Sequence, residues 1–231
     1  MELWDVIRRR RMTRAFEPRP VDADVLEHVL DAARRAPSAG NSQGWHFVVL
    51  EGADTARFWD VTLPAERREA FRWQRLLDAP VIVLPLADRA AYLSRYAEPD
   101  KSASGLADAT RWPVPYWQVD TAFATMLLLL AAEDAGLGAL FFGVFRSADR
   151  LLDSLGVPPG LDLIGAIALG HPLPDGEGLS ASRPRRDLEE VIHRGGWAPA
   201  APAGQDEPAV ATEPSVALEG DPIDGDQPDP A

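Results

Sequence analysis

The stretch VDTAFATMLLLLAAEDA, residues 119–135, is apolar almost all the way round when it is drawn as a helix. A helix on a protein surface has one apolar stripe and one polar face, so this pattern predicts a helix that is buried on several sides. Such a helix belongs at the centre of a domain or at a subunit interface. Gly136 follows directly and predicts the C-terminal end of the helix.

Short apolar segments rich in Val and Ile lie on both sides of this helix and predict strands at 46–50, 80–86, 139–145 and 163–170. Helices are predicted from Leu3, from an N-cap at Asp22 or Asp24 up to Pro37, within the charged segment 54–78, and between Ser147 and Gly156. Residues 88–117 are interpreted as an irregular, polar insertion that carries aromatic side chains. Interspersed helices and strands indicate an α+β or α/β domain, with helices packed on a central sheet.

Length and charge favour one domain with an acidic appendage. The 231 residues, 46% of them hydrophobic, are enough for one substantial core. Residues 198–231 hold eight of the 36 acidic residues and seven of the 21 prolines, without a Lys or Arg. We therefore predict a domain over 1–197 and a disordered, acidic, Pro- and Ala-rich tail over 198–231. The net charge of −13 argues against a nucleic-acid partner.

Missing residue types exclude several classes of chemistry. Cysteine is absent, so any redox chemistry must come from a bound cofactor, and the four histidines form no pair at metal-ligand spacing, which predicts no metal site. The longest strictly apolar run, 126–132, is far shorter than the roughly 18 residues that a membrane span needs. The first residues carry charges where a signal peptide is apolar. We expect a soluble, cytoplasmic protein that does not bind a membrane.

Two arginine clusters are candidates for binding a phosphorylated ligand. The first lies in RRRMTRAF, residues 9–16, where Arg10 and Arg14 would share a helix face if the first helix continued. Guanidinium groups bind phosphate in bidentate geometry, but a solvated basic face explains the run equally well. The second cluster consists of Arg183, Arg185 and Arg186, and the two clusters could converge on one phosphate. Between them lies a loop at 36–44, which has more small and amide side chains than a plain turn needs.

The order and spacing of these segments resemble the FMN-dependent nitroreductase family. The matching motifs are RRRMTRAF (9–16), APSAGNSQGWHFVV (36–49), AGLGALFFG (135–143), GHP (170–172) and RPRRDLEEVI (183–192), so that the resemblance covers roughly residues 3–197. It implies an α+β fold whose central, mostly antiparallel sheet is packed between helices. It also implies a homodimer with two FMN sites at the interface, each shared between the two chains.

The resemblance implies a role for each arginine, according to its position in the matching motifs. Arg10 would lie toward the FMN phosphate and Arg14 toward the N1/O2 edge of the ring, with Arg11 close by. A cation at that edge is physically reasonable, because two-electron reduction leaves negative charge there. Arg183 and Arg185 would complete the phosphate site, and Arg186 could replace either of them.

The resemblance also assigns the loop and a strand end. Ser38 and Asn41 would be polar contacts that reach across the interface to the flavin of the partner subunit. Phe142 and Gly143 would pass the N5 edge of the ring and offer a backbone amide there. Gly44 stands where the family has a proline, which is expected to loosen the turn before Trp45.

The implied function is hydride transfer by a bound flavin, so no catalytic side chain is predicted. NAD(P)H would reduce FMN, leave, and be replaced by an electron-poor acceptor such as a nitroaromatic or a quinone, in a ping-pong reaction. NADH, NADPH and a deazaflavin all stay open as donors. Aromatic residues of the insertion are candidates either for the pocket wall or for packing: Trp112, Tyr116 and Trp117. The alternative is a flavin-binding protein without turnover that sequesters FMN or senses redox state.

Overall fold

The computed structural model describes residues 1–174 and 183–197. The chain divides into two compact units, Met1–Glu177 and Gly178–Ala231. The sheet belongs to the first unit, and the described part of the second unit contains one short helix. The predicted tail at 198–231 lies outside the described residues, so the tail remains a prediction.

In chain order, the helices and strands of the first unit are α1 (Leu3–Arg9), α2 (Ala23–Ala33), β1 (Trp45–Glu51), α3 (Thr55–Thr62), α4 (Ala65–Arg68), β2 (Val81–Asp88), α5 (Arg89–Ala97), α6 (Tyr116–Asp134), β3 (Gly138–Phe142), α7 (Ala148–Ser154), β4 (Leu161–Leu163) and β5 (Ala166–Gly170). The second unit contains α8 (Leu188–Val191). Short 3₁₀ turns lie at Ala39–Asn41, Gly52–Asp54, Gln74–Leu76, Ser102–Ser104 and Ala109–Arg111.

The strands of the described chain form one sheet in the order β1-β2-β5-β3, with β4 paired to the C-terminal end of β2. Val49 of β1 lies opposite Val83 of β2, and Val83 lies opposite Ile167 of β5. Each pairing of strands in the sheet is antiparallel. The predicted α+β class with a mostly antiparallel central sheet is confirmed.

Side chains that alternate along the strands pack into two separate cores. Ile82 and Leu84 of β2 belong to a core that includes Phe58 of α3 and Leu151 of α7. The neighbouring residues Val81 and Val83 belong to the other core, with Val29 of α2 and Leu128 of α6. The sheet therefore lies between two helical layers, because successive strand residues point to opposite faces.

Helix α6 is buried along one side and apolar along the other. Ala124, Leu128 and Ala132 are buried, whereas Phe123 and Met126 are 49% and 46% exposed. The helix predicted at 119–135 is thus confirmed with an earlier start, but within this chain it is not buried on every side. Gly136, with φ +75°, ends it as predicted.

Other boundaries differ from the sequence prediction. The strand predicted at 139–145 ends at Phe142, and the segment 163–170 is interrupted rather than continuous. Gly165 causes that interruption: it has φ +156°, and a Cβ there would lie 2.6 Å from the ring of Phe141. The insertion at 88–117 is not wholly irregular, because it begins with α5, whose first turn is capped by the Asp88 carboxylate accepting from Ala91 N at 3.2 Å.

Helix caps were partly predictable. Asp22 is the N-cap of α2, since its carboxylate accepts hydrogen bonds from Asp24 N at 3.0 Å and Val25 N at 3.3 Å. Ser147 precedes α7, but it has φ +57° and its side chain makes no capping bond, contrary to the prediction. Gly156 follows α7 with φ +71°, as a C-terminal glycine should.

The segment after α1 is extended, so the first helix does not continue to Arg14, and Arg10 and Arg14 do not share a helix face. Helix α1 ends at Arg9 because the following residues pair with strands instead. Met12 forms a parallel bridge with Ala139 of β3, and Phe16 forms an antiparallel bridge with Pro172. These bridges hold the N-terminal segment across the ends of β3 and β5.

Candidate functional site

A cavity of about 470 Å³, here called the aromatic cavity, lies between α3, the segment that follows it, and the end of β3. Most of its wall is aromatic or aliphatic, and Arg14 is one of its few charged members. The lining residues are Arg14, Phe58, Trp59, Thr62, Leu63, Phe71, Trp73, Leu76 and residues 140–146. Its size and composition suit a planar, partly polar ligand.

Arg14 enters the aromatic cavity from the extended N-terminal segment. The bridge between Met12 and Ala139 fixes the backbone two residues earlier. The Nη1 atom of Arg14 donates to Met12 O at 3.0 Å, and the guanidinium carbon lies 5.7 Å from the ring centroid of Trp73. This distance is within the range of a cation–π interaction. A positive charge is therefore held at the edge of the cavity.

Phe142 and Gly143 line the aromatic cavity at the end of β3. The ring of Phe142 packs edge to face on Phe58, with centroids 5.9 Å apart, and lies parallel to Trp59 at 6.2 Å. Its side chain is therefore part of the wall, which leaves its backbone for any ligand contact. Gly143 is the first residue after the strand, and its backbone is exposed. The structure thus brings three predicted site residues, Arg14, Phe142 and Gly143, to one cavity.

Arg10 carries a buried donor for which the described part of the chain offers no acceptor. Its Nη1 atom is buried, and no described residue accepts a hydrogen bond from it. A buried cationic donor without a partner is costly, whereas a phosphate oxygen would satisfy it with a charge-assisted bond. The contact of Arg10 with the phosphate of FMN stays a prediction.

Arg11 reaches a different cavity, of about 410 Å³, which is also lined by Arg9, Thr13 and Glu133. Arg9 lies 3.8 Å from the Glu133 carboxylate, so its charge is partly compensated there. The structure does not bring Arg11 to the aromatic cavity, and its contact with FMN stays a prediction.

Ser38 and Asn41 lie in a tightly folded loop and do not line the aromatic cavity. The hydroxyl of Ser38 accepts from Gln43 N at 2.9 Å, and Oδ1 of Asn41 accepts from Gln43 Nε2 at 3.2 Å. Each side chain still has a donor to offer, the O–H of Ser38 and the Nδ2 of Asn41. Asn41 is exposed, so its amide is accessible to a second molecule.

The turn at Gly44 is tight, which corrects the expectation that glycine loosens it. A Cβ at this position would lie 2.6 Å from Cε2 of Tyr92 and 2.8 Å from the backbone oxygen of Asp88. Gly44 O also accepts from Asp88 N at 2.8 Å. Glycine is required because backbone and ring occupy the space that any side chain would need, and Trp45 beside it is only 8% exposed.

The aromatic residues of the insertion pack on one another. Trp112 lies within 6.1 Å, between ring centroids, of Tyr92, Tyr96, Tyr116 and Trp117. Its indole N–H donates to Leu106 O at 2.7 Å. None of Trp112, Tyr116 and Trp117 lines the aromatic cavity, so within one chain their role is packing.

Sequence reasoning missed the wall that α3 and the following turns provide. Phe58 and Trp59 come from α3, and Phe71 and Trp73 come from the segment before β2. Residues 54–78 were interpreted from their charge alone. The available signal was the repeated placement of arginine beside aromatic residues, in RFW at 57–59 and FRW at 71–73.

The second arginine cluster lies in the described part of the second unit. Arg186 donates from Nε to Oε2 of Glu190 at 2.9 Å, so its guanidinium is engaged by its own helix. Arg183 and Arg185 are exposed. The contact of these arginines with a phosphate and their convergence with Arg10 stay predictions.

The described residues contain neither a cluster of metal ligands nor a membrane-spanning helix. Over 1–174 and 183–197, no group of three or more His, Asp or Glu side chains is placed to hold a metal ion. In the same residues, no helix has both the length and the apolar character needed to cross a bilayer.

Comparison with known proteins agrees with this geometry. Residues 7–171 match the model of the Nitroreductase family. A provisionally named NADH dehydrogenase/NAD(P)H nitroreductase from Archaeoglobus fulgidus is 29% identical over 200 residues, which cover 85% of this chain and 99% of that protein. An NADH dehydrogenase from Thermus thermophilus is 29% identical over 189 residues, covering 73% of this chain and 85% of that protein.

A provisionally assigned nitroreductase from Desulfovibrio desulfuricans, solved in complex with FMN, superimposes with a TM-score of 0.62 at 25% identity, covering 86% of this chain and 99% of that one. The fold, the family model and these relatives agree over most of the chain. The chain therefore belongs to the nitroreductase family.

Proposed function

We propose that this protein is an FMN-dependent oxidoreductase that takes hydride from NAD(P)H and passes it, by a ping-pong mechanism, to an electron-poor acceptor such as a nitroaromatic or a quinone. The observation that carries the proposal is the aromatic cavity, in which Arg14 and the Gly143 backbone line one space. The names of the relatives and the FMN bound to a structural neighbour support it.

The residues of this chain would bind and orient the cofactor. Arg10 would donate its unpaired Nη1 to the phosphate, with Arg183 and Arg185 completing that site. Arg14 would lie toward the N1/O2 edge, and the amide of Gly143 toward N5. FMN would supply the hydride chemistry, so no acid, base or nucleophile of the protein is required.

The wall of the aromatic cavity would strengthen the effect of Arg14. Trp59 is 6% exposed and Phe58 is 1% exposed, so this side of the cavity excludes water. A charge acts more strongly on a neighbouring group in such surroundings than in bulk water. Arg14 would therefore stabilise the negative charge that two-electron reduction places on the pyrimidine edge.

We further infer that the working unit is a homodimer with shared sites. Ser38 and Asn41 do not line the cavity of their own chain, so the roles expected for them require a second copy. Large apolar side chains on α1 and α6 are exposed: Leu3, Trp4, Ile7, Phe123 and Met126. Exposed apolar residues of this size mark protein interfaces when they are contiguous, and α1 packs against α6.

Flavin content and flavin reduction test the function directly. The purified protein should be yellow with noncovalent FMN, and anaerobic NADH or NADPH should bleach the flavin within seconds. A nitroaromatic or quinone should then restore the colour. A colourless protein that takes up no added FMN would overturn the proposal. Flavin that stays oxidised with NADH, NADPH and a reduced deazaflavin would instead support a sequestering or sensing role.

A further inference from the structure

Helix α6 carries a buried carboxylate that faces the loop at 38–43. Asp120 is 3% exposed, in a helix whose neighbouring positions are largely apolar. Its Oδ2 atom accepts from Ala39 N at 2.8 Å and from the Tyr92 hydroxyl at 2.7 Å. Both donors are neutral, and within the described residues Asp120 forms no ion pair. A buried carboxylate is costly, so a structural reason for retaining it is needed.

The loop that Asp120 holds has a strained backbone. Gly40, Asn41 and Gln43 have φ values of +62°, +55° and +50°, in the left-handed region. This conformation is unfavourable for a residue with a side chain, because its Cβ lies too close to the backbone. Asn and Gln in this region, two residues apart, persist only where the surroundings fix them. The loop therefore needs external anchors.

Asp120, Tyr92 and Arg95 anchor the loop, and Asp120 also binds Tyr92. Its carboxylate binds the loop backbone at Ala39 and the hydroxyl of Tyr92, whose ring packs against Gly44 at the far end of the loop. Arg95 donates from Nε to Gly40 O at 2.9 Å. Of Asp120, Tyr92 and Arg95, only Asp120 links both ends of the loop through one atom. Its Oδ2 binds Ala39 N directly and reaches Gly44 through Tyr92.

We propose that Asp120 is a positioning residue for the flavin site: through Ala39 N and Tyr92 Oη, it holds the loop at 38–43 in the strained conformation that presents Ser38 and Asn41. The inference rests on the proposed function, because it takes those two side chains to be flavin contacts. If the loop leaves this conformation part of the time, the apparent affinity for FMN falls in proportion to the fraction lost.

Asp162 of β4 provides a matched control, because its carboxylate also binds α6. Its Oδ2 atom accepts from Trp117 Nε1 at 3.1 Å and from Gln118 Nε2 at 2.9 Å, two neutral donors on α6. Asp120 and Asp162 therefore both bind two neutral groups through one carboxylate oxygen. Asp162 has no described bond to the loop, so its removal should affect stability without affecting the conformation of the loop.

The first measurement is hydrogen exchange in the flavin-free protein. In Asp120→Ala, amides of the loop at 38–43, including Ala39, should exchange about tenfold faster or more, because a charge-assisted bond is lost. Exchange in β2 should change much less. Asp162→Ala should leave the loop amides as they are in the original protein. Unchanged loop exchange in Asp120→Ala would overturn the proposal, whatever the protein does with flavin.

The second measurement is FMN affinity by titration. Asp120→Ala should weaken it about tenfold or more, and Asp162→Ala by less than about twofold, even if both lower the thermal midpoint equally. Asp120→Asn keeps an accepting oxygen and should restore most of the affinity. If Asp120→Ala does not fold, Asp120→Asn is compared with Asp162→Asn instead. In that comparison, Asp120→Asn should bind FMN a few-fold more weakly than Asp162→Asn.

The outcomes separate this inference from the proposed function. If the original protein binds no FMN, the function fails, while the exchange experiment still decides whether Asp120 fixes the loop. If the original protein binds FMN and the Asp120 and Asp162 variants lose affinity equally, Asp120 is structural only and the inference fails.

Discussion

Arg10 places a guanidinium nitrogen in the protein interior where no described residue accepts a hydrogen bond from it. The preceding residue, Arg9, is exposed and lies near Glu133. Arg9 therefore has an acidic neighbour, whereas Arg10 has a buried donor that no described residue pairs with. Such a donor lowers the stability of the empty protein and raises its affinity for an anion.

Replacing Arg10 and Arg9 by glutamine in separate proteins tests this contrast. Arg10→Gln should weaken FMN binding by about 100-fold, because charge-assisted bonds to the phosphate are lost. The thermal midpoint of its flavin-free form should stay the same or rise. Arg9→Gln should change FMN affinity less than about threefold. Flavin titration and thermal melts of both forms measure this. Equal loss of affinity in the two variants would contradict the role of Arg10.

Tyr92 makes stability depend on alkaline pH. Burial and the hydrogen bond to Asp120 raise the pKa of its hydroxyl well above the ordinary value of 10.0. Below pH 10 both folded and unfolded chains keep the proton, and stability is full. As pH rises above 10, the unfolded chain loses its proton while the folded chain retains it, so stability falls by up to about 1.4 kcal/mol per pH unit.

Tyr92→Phe removes this titration. The variant should be less stable than the original protein at pH 8, and the difference should shrink as pH rises from 10 to 11. Urea unfolding at several pH values measures the two curves. A difference that stays constant across this range would show that Tyr92 ionises equally in both states.

At the scale of elements, the strands and α6 were predictable because their apolar patterns are long and regular. The interruption at Gly165 was not, since LIGAIALG reads as one continuous run and only contact with Phe141 shows the break. Helix α1 ends at Arg9 because Met12 pairs with β3, a long-range partner that local pattern does not reveal. The wall of the aromatic cavity was missed for a similar reason, because Trp59 and Phe142 meet only in the folded protein.

The site was predictable to the extent that it follows from arginine clusters and from family resemblance. Arg14, Phe142 and Gly143 do line one cavity. Asp120 was not identified, although an acidic residue near the start of an apolar helix was a visible signal. Its partners Ala39 and Tyr92 are 81 and 28 residues away, and no periodicity connects them.

The junction between the loop and β1 should not accept a side chain. Gly44→Ala places Cβ against the Asp88 backbone, which cannot move without shifting β2, and should destabilise the protein by about 1–3 kcal/mol. Gly196→Ala is the control, because no described residue lies within 4 Å of a Cβ there; it should change stability by less than about 0.5 kcal/mol. Urea unfolding compares them. Equal, small effects would mean that the turn relaxes easily.

At the scale of the whole molecule, the predicted contacts divide between two surfaces. Arg14 lines the aromatic cavity, whereas Ser38 and Asn41 belong to a loop that is anchored on α5 and α6. A second copy would bring the loop of one chain to the cavity of the other. The exposed apolar side chains of α1 and α6 offer a surface for this assembly.

A heterodimer of two mutants tests whether sites are shared. Arg10→Glu and Asn41→Arg should each abolish FMN binding in homodimers. If each site takes Arg10 from one chain and Asn41 from the other, a heterodimer collects both lesions in one site and leaves the second intact. Differently tagged chains, co-expressed and purified through both tags, should then bind one FMN per dimer. None per dimer would show that each site is built within one chain.

The bridges at Met12 and Phe16 also set the order in which the site can be completed during synthesis. Phe16 pairs with Pro172, which leaves the ribosome roughly 8–30 s later at ordinary elongation rates. Until β3 and β5 have been made, the segment that carries Arg14 has no strand to pair with, and β2 is paired with β1 but not yet with β5. Flavin loading would therefore be a late event, open only to a chain in which β5 has already been made.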